Sequence, residues 1–451
     1  MHQVDKWIVL SREDTKMEKM SGKTWSVGLQ HVLAMYAGAV LVPLIVGGAL
    51  HLTSEQLTYL ISIDLLTCGI ATLLQVWKNK FFGIGLPVML GCTFTAVGPM
   101  IAIGSEHGIS AIYGAIIVSG IFIFLISLIF SKLVKFFPPI VTGSVVTIIG
   151  LTLIPVAIKD MAGGEGSADF GDPKNLVLSF GVLAIILLLN KFTTGFIKTI
   201  SILIGIIAGT VIAAFMGIVN FSEVGEANWI HGIKPFYFGT PTFDITSIIT
   251  MILVAIVSLI ESTGVYLALG DITNKKVSDK DLAKGYRSEG LASVIGGIFN
   301  SFPYTAYSQN VGLVQLTGVK TKSAIYAAGM ILVALGFIPK IAAVTTLIPT
   351  AVLGGASLAM FGMVVSYGIK MLSQVNFNQQ GNLLILACSV GMGLGVTVVP
   401  DIFIKFPESI RILFQSGIVA GSLTAIILNI LFNMIPTFHS IKVGVEEKKA
   451  A

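Results

Sequence analysis

Long apolar runs recur along almost the whole chain, and no other feature of the sequence limits its fold as strongly. A run of about 18 or more apolar residues can cross a bilayer as a helix. Fourteen hydrophobic segments can be read, near 25–50, 55–77, 84–104, 108–131, 133–157, 175–190, 196–220, 245–270, 282–301, 308–320, 321–338, 343–372, 381–398 and 412–434. Only 11% of the residues are charged, against roughly 25% in an ordinary soluble domain. The chain therefore reads as an all-α polytopic membrane protein. The third and tenth segments are too short or too interrupted to be continuous spans.

Charge sets the sides. With the N-terminus in the cytoplasm, all but six of the 28 Lys and Arg fall inside, the exceptions being Lys159, Lys174, Lys234, Lys340, Lys405 and Arg411. That asymmetry follows the positive-inside rule, and the basic loop Asn274–Arg287 is its strongest marker. The formal charge of +5 thus reflects membrane side and implies no nucleic-acid partner. The first 24 residues are polar and lack an apolar core followed by a cleavage site, so the first span is expected to direct insertion. Residues 1–24 and 435–451 are expected to be cytoplasmic ends of a multi-pass cell-membrane protein. Cys68, Cys92 and Cys388 share no metal-ligand spacing, and neither a disulfide framework nor a metal site is expected.

The halves echo each other. "PPIVTG" begins at Pro138 and "PTAVLG" at Pro349, 211 residues apart, and each is followed in the same register by an Ile-Lys pair, Ile158-Lys159 and Ile369-Lys370. The positive-inside topology puts Lys159 outside and Lys370 inside. Related segments of opposite orientation imply an inverted repeat, a transporter architecture with its site near the midplane. The expected repeats are 25–220 and 245–434.

Polar groups at depth mark the site. Of the 23 acidic residues, only Asp64, Glu261 and Glu289 fall well inside these segments, and an ionisable group at the bilayer centre costs at least roughly 2.5 kcal/mol. Glu261 shares a helical face with Ser258, Gly264 and Ala268, small residues that leave room for a ligand beside the carboxylate. Glu289 could be structural or proton-linked, and Asp64 is read as structural. His31, the one histidine of six inside a span, is read as a hydrogen-bonded residue that supports helix packing.

Two interruptions complete the pattern. In "NSFPYTAYSQNVG", Pro303 breaks the helix, Tyr304 and Tyr307 lie in a β-favouring run, and helix can restart at Ser308–Asn310 with orphan amides at its new N-terminus. In "GLPVMLGCTFTAVGPM", Pro87 and Gly91 break the segment before a short extended Cys92-Thr93-Phe94. Paired interrupted segments are the best sequence pointer to a transporter binding site, because irregular backbone at this depth survives only where it lines a cavity. A flat heterocycle with alternating donors and acceptors would suit backbone amides, the Gln309 carboxamide and the Glu261 carboxylate.

These residues carry a resemblance over nearly the whole chain. The run Gln309-Asn310-Val311-Gly312 to Thr317-Gly318 matches the motif Q/E/P-N-x-G-x-x-x-x-T-R/K/G without departure, and Gln30-His31 and Glu261 also match. The sequence is identified as a member of the nucleobase-ascorbate transporter family, also called nucleobase:cation symporter-2, and most resembles its bacterial xanthine and uric acid permeases. The resemblance implies fourteen spans in a 7+7 inverted repeat, core and gate domains, short strands in segments 3 and 10, and usually a homodimer. By the same resemblance Glu261, Gln309, Phe94, Thr93 and Ser308 would bind substrate, with Thr93 bordering the pocket. Asn310, His31, Gly312 and Thr317 would support the site. Glu289 stands at the family's ninth-helix acid, so Glu261 and Glu289 are the proton-coupling candidates. Some uracil-type members have a histidine where this chain has Val265 and a glutamate at Gln309, differences that favour a purine over uracil.

The implied activity is proton-coupled uptake of xanthine or uric acid by alternating access, across what is expected to be a bacterial plasma membrane. No G-x-x-x-x-G-K-S/T loop offers ATP as the driving force, and no cofactor is expected besides the proton gradient. The alternatives are a uracil or other nucleobase permease, a same-fold anion transporter, and a passive channel. An enzyme is disfavoured, since no H-E-x-x-H motif or nucleophile–base arrangement occurs.

Overall fold

The computed structural model describes residues 20–435 except 135–136, 220, 222–223, 226–227, 231, 408–410 and 412–413. The expected cytoplasmic ends, 1–24 and 435–451, therefore lie almost wholly outside the described residues. The first half runs α1 (Gly22–Ala49), α2 (Ser54–Val76), β1 (Leu90–Cys92), α3 (Val97–His107), α4 (Ile109–Leu133), α5 (Pro139–Met161), α6 (Pro173–Phe192), α7 (Gly195–Thr199) and α8 (Ser201–Phe215). The second runs α9 (Ile245–Ile272), α10 (Asp279–Ile298), β2 (Tyr304–Ala306), α11 (Ser308–Thr317), α12 (Lys322–Gly336), α13 (Pro339–Thr346), α14 (Thr350–Leu372), α15 (Gln380–Val398) and α16 (Gly417–Asn429).

Among the described residues, nine helices are long and apolar enough to cross a membrane, or ten if α12 and α13, bent by 81°, form one span. The remaining expected segments have physical reasons to fall short. The eighth helix, α8, has only 15 residues, α10 begins in the charged run "DKDLAKGYR", and segments 3 and 10 are half strand, half helix. Prolines move several boundaries. The fifth segment, expected from 133, starts at Pro139 after the N-cap Pro138, so that Asp160 falls inside the helix's last turn. The twelfth, expected from 343, starts only after Pro349, which separates it from α13.

The repeat read from the two proline motifs is visible in the helices themselves. Both α5 and α14 have 23 residues and are capped by Pro138 and Pro349. They pack antiparallel, Gly143 of α5 lying against Leu372 of α14 and Gly150 against Val365. Other pairings recur: α4 packs on α10 as α2 does on α12 and α4 on α9 as α12 on α1, with partners exchanged between halves, and within each half α6 packs on α8 as α15 does on α16. A two-fold relation between the halves produces this exchange. Helices α1–α4 and α9–α12 form one packed group, and α5, α6, α8 and α14–α16 another, in the manner expected of core and gate.

Candidate functional site

The two short strands lie side by side in the first group. They pair antiparallel, with Leu90 opposite Ala306, Gly91 opposite Thr305 and Cys92 opposite Tyr304. The pairing continues past the strands, since the Thr93 amide donates to Pro303 O at 3.0 Å and the Tyr307 amide to Met89 O at 3.0 Å. Outer backbone groups are held by helices: Leu90 N–H donates to Thr72 Oγ1 of α2 at 3.0 Å, and Ala306 N–H to Ser262 Oγ of α9 at 3.0 Å. The Tyr307 ring lies over Gly91, where a Cβ would come within 2.6 Å of it, and its hydroxyl donates to Cys92 O at 3.0 Å. An alanine at Gly91 would therefore have to displace the Tyr307 ring, which also lies against Gly38 of α1.

Each strand leads into a helix, and the two helix starts meet at one cavity of about 200 Å3. Phe94 follows β1, while Thr305, Tyr307, Ser308 and Gln309 come from the β2–α11 junction; Glu261 projects from α9, and Tyr367 with two methionines from α14. Among the expected binding residues, Phe94, Glu261, Ser308 and Gln309 thus line one cavity. Phe94 packs edge-on against Phe361, their ring centroids 5.6 Å apart. The Gln309 carboxamide makes no hydrogen bond with a described residue, and no side chain caps α11. Among the described residues Glu261 has one hydrogen-bond partner, Thr95, whose hydroxyl donates to Oε2 at 3.4 Å.

Thr93 is placed otherwise than expected. It is fully buried behind the cavity wall, where its Oγ1 accepts from the Thr95 amide at 3.2 Å and shares a hydrogen bond with Ser258 at 3.3 Å. Its extended backbone turns the side chain back onto the following 3-10 turn, Phe94–Ala96, as a cap. Ser258 is thereby engaged with Thr93, so the small-residue face beside Glu261 packs at Ser258 on the interrupted segment, and Glu261 alone of that face lines the cavity.

The supporting residues sit beneath. Asn310 is buried, and its Nδ2 donates to His31 O at 3.0 Å and lies 3.1 Å from His31 Nδ1, joining α11 to α1. Gly312 is one turn along α11 from Gln309. Thr317 ends the helix: its hydroxyl donates to Leu313 O at 2.9 Å and accepts from the Val319 amide at 3.2 Å, while Gly318 takes the left-handed conformation at φ 65°. The long motif thus spans one whole helix, from an open start to a glycine stop.

The other two buried acids belong to separate networks. Glu289 of α10 accepts a hydrogen bond from Tyr266, which also accepts from Gln75, tying α2, α9 and α10 together. Its Oε2 has no hydrogen-bond partner among the described residues. Asp64 accepts from Ser301 at 2.8 Å, and Ser301 shares a hydrogen bond with Tyr304 at 2.8 Å, which fits its structural reading. Sequence reasoning missed Thr95 and Tyr367. Thr95 stands in its segment where Gln309 stands in the other, counted from the strand pairs, and that equivalence could have found it; Tyr367 gave no signal on an apolar helix.

Comparison with known proteins follows the same lines. The chain matches the family model described as a permease family over residues 22–402. It is 68% identical over 413 residues to a xanthine permease of Bacillus subtilis (strain 168), covering 92% of this chain and 94% of that one. It is 63% identical over 406 residues to the uric acid permease PucK of the same organism, covering 90% and 94%. Among solved structures, it resembles the transmembrane domain of a cyanobacterium bicarbonate transporter, BicA, with a TM-score of 0.59 at 14% identity, covering 92% of this chain and 99% of that one. At that identity the likeness concerns the fold alone.

Proposed function

The chain belongs to the nucleobase-ascorbate transporter family, and from that premise we propose that it takes up an oxopurine, xanthine or uric acid, by proton-coupled alternating access. It is a multi-pass membrane permease, not an enzyme. The observation that carries the substrate reading is the meeting of an unbonded carboxamide, an uncapped helix start and a carboxylate in one cavity. Gln309 offers a donor and an acceptor to the purine edge, the first amides of α11 offer donors, and Glu261 accepts from a ring N–H. Phe94 presents its ring or its amide at the other side. The relatives' names support xanthine and uric acid alike.

Proton coupling is read from the same carboxylate. When the cavity closes from water during the transport cycle, an ionised Glu261 carries a desolvation cost that protonation removes, so the site moves between the two faces more readily with a proton aboard. Glu289 is the second candidate, because one of its oxygens lacks a partner in a buried network. A same-fold inorganic-anion transporter is disfavoured because a small anion has no N–H to offer the Glu261 carboxylate, whereas an oxopurine, urate included, meets it with ring N–H groups. The remaining parts of the reading are a homodimer, repeats bounded at 25–220 and 245–434, cytoplasmic termini and a bacterial plasma membrane.

The test is uptake of labelled xanthine into proteoliposomes under an imposed proton gradient. Saturable uptake, competed by xanthine and urate but weakly by uracil and abolished by a protonophore, is expected. Undiminished uptake after the gradient is collapsed in sodium-free buffer would refute proton symport. A purine-insensitive signal would remove the substrate reading.

A further inference from the structure

A second cavity adjoins the first and is the larger, about 290 Å3 against about 200 Å3. Gln309, Met360 and Met363 form a wall common to both. From that wall the second cavity follows α11 past Gly312 to Leu316 and is bordered across from it by Lys198 and Thr199 of α7. Gln309, Gly312 and Leu316 are three and four residues apart, so one helical face lines the whole passage. A side chain at Gly312 would meet open space. The cavity thus leads from the helix start toward the end of α11 that adjoins Lys320 and Lys322, the side that charge assigns to the cytoplasm.

We propose that this second cavity is a release subsite, in which the oxopurine rests between Gln309 and the cytoplasm with the Lys198 ammonium bound to its carbonyl edge. The proposal rests on the oxopurine reading given above and adds a place and a residue to it. Three observations converge. The Gln309 carboxamide is unbonded and borders both cavities, so it can hold the ring on either side of the wall. The wall's other members are methionines, unbranched side chains that change rotamer without disturbing helix packing. Lys198 is the one charged residue on the cavity's lining, and it forms no ion pair with a described residue. The polar neighbour Asn190 is committed elsewhere, donating to Ser201 Oγ at 2.7 Å and to Ile186 O at 3.0 Å. Lys198 is exposed, at the open end of the cavity, so its three ammonium donors are shared with water alone and can exchange it for a ligand rich in carbonyl oxygen.

A lysine that serves only to mark the cytoplasmic side would act on insertion and not on the affinity of one face. Labelled xanthine transport should therefore be measured in right-side-out and inside-out vesicles at matched protein. Lys198→Gln is expected to raise KM from the cytoplasmic face about ten-fold and KM from the external face by less than about two-fold. Lys198→Arg, which keeps charge and donors, should restore the cytoplasmic value. Leu316→Trp, which fills the passage from α11, is expected to slow turnover about ten-fold while equilibrium binding of xanthine to the purified protein persists. A Lys198→Gln protein with unchanged KM on both faces, or with equal rises on both, overturns the proposal, as does a Leu316→Trp protein that turns over at the wild-type rate. Failure of the underlying reading would look different: wild-type protein would bind no oxopurine at either face.

Discussion

The two interrupted segments share a plan of strand, break and half-helix, yet their helix starts are finished differently. After β1, Thr93 folds back to cap the Thr95 amide, and a 3-10 turn intervenes before α3. After β2, α11 begins at once with Ser308, and no side chain caps it. A helix start leaves up to four amides without intrahelical partners. Neither half-helix has a side-chain cap of its own, but the turn that leads into α3 has an amide engaged by Thr93, whereas α11 starts directly at the cavity with its first amides uncapped. The residues at equivalent places differ in the same sense: Thr95 donates within the protein to Glu261, while the Gln309 carboxamide is left for something else. Pseudo-symmetry builds the crossing, and recognition is assigned mainly to one side of it.

The largest effect should come from the group that both sides approach. Glu261→Gln keeps the shape and the Thr95 contact but cannot exchange a proton, and accumulation of xanthine should fall by about a hundred-fold or more, equivalent to roughly 2.7 kcal/mol. Gradient-driven uptake at matched membrane expression checks it, and wild-type accumulation would detach the coupling from this carboxylate.

Asn310→Ser loosens the open side from behind. It removes the double contact with His31, so α11 should hold its position less firmly during the transport cycle. Turnover is expected to fall about ten-fold, with a smaller change in binding affinity, since the cost of a lost buried hydrogen bond is about 1–3 kcal/mol. Uptake rate and equilibrium binding measured on the same variant separate the two. An affinity loss as large as the rate loss would make Asn310 a ligand contact.

The smallest effects belong to the closed side. Thr93→Ala removes a cap, which costs about 1 kcal/mol of stability, and should lower the thermal unfolding temperature with xanthine affinity nearly unchanged. Enlarging the residue, as in Thr93→Ile, should press on Ser258 and shift preference among purines without erasing binding. A competition panel reads this. Loss of all binding in Thr93→Ala would mean that the cap side recognises substrate as well.

How much of this could be read from the sequence follows from the range of the interactions. The breaks at Pro87 and Pro303 are local and were legible within a few residues, whereas Pro138 and Pro349 were read as repeat markers and not as the starts of α5 and α14, and Gly318 as part of a motif and not as a helix stop. Glu261 was legible because a carboxylate in an apolar helix has few explanations. Thr93 was expected on the pocket wall, and only its backbone angle, followed by the approach of Ser258 from α9, turns it inward. Thr95 acquires meaning once α9 is laid across the interrupted segment. Tyr367 looks like any aromatic residue of an apolar helix until α14 packs antiparallel to α5. The second cavity escapes notice for the same reason, since its walls come from four separate stretches of chain.

The division of labour between the two half-helices is tested most directly by xanthine binding to purified Gln309→Glu protein, measured calorimetrically beside wild type. A carboxylate at that position offers only acceptors when ionised and adds a second negative charge near Glu261. One buried polar group left unpaired costs about 1–3 kcal/mol, and affinity should fall roughly ten- to a hundred-fold. Affinity equal to that of wild type would contradict the assignment of recognition to the open side and leave Gln309 with no more than a structural part at the start of α11.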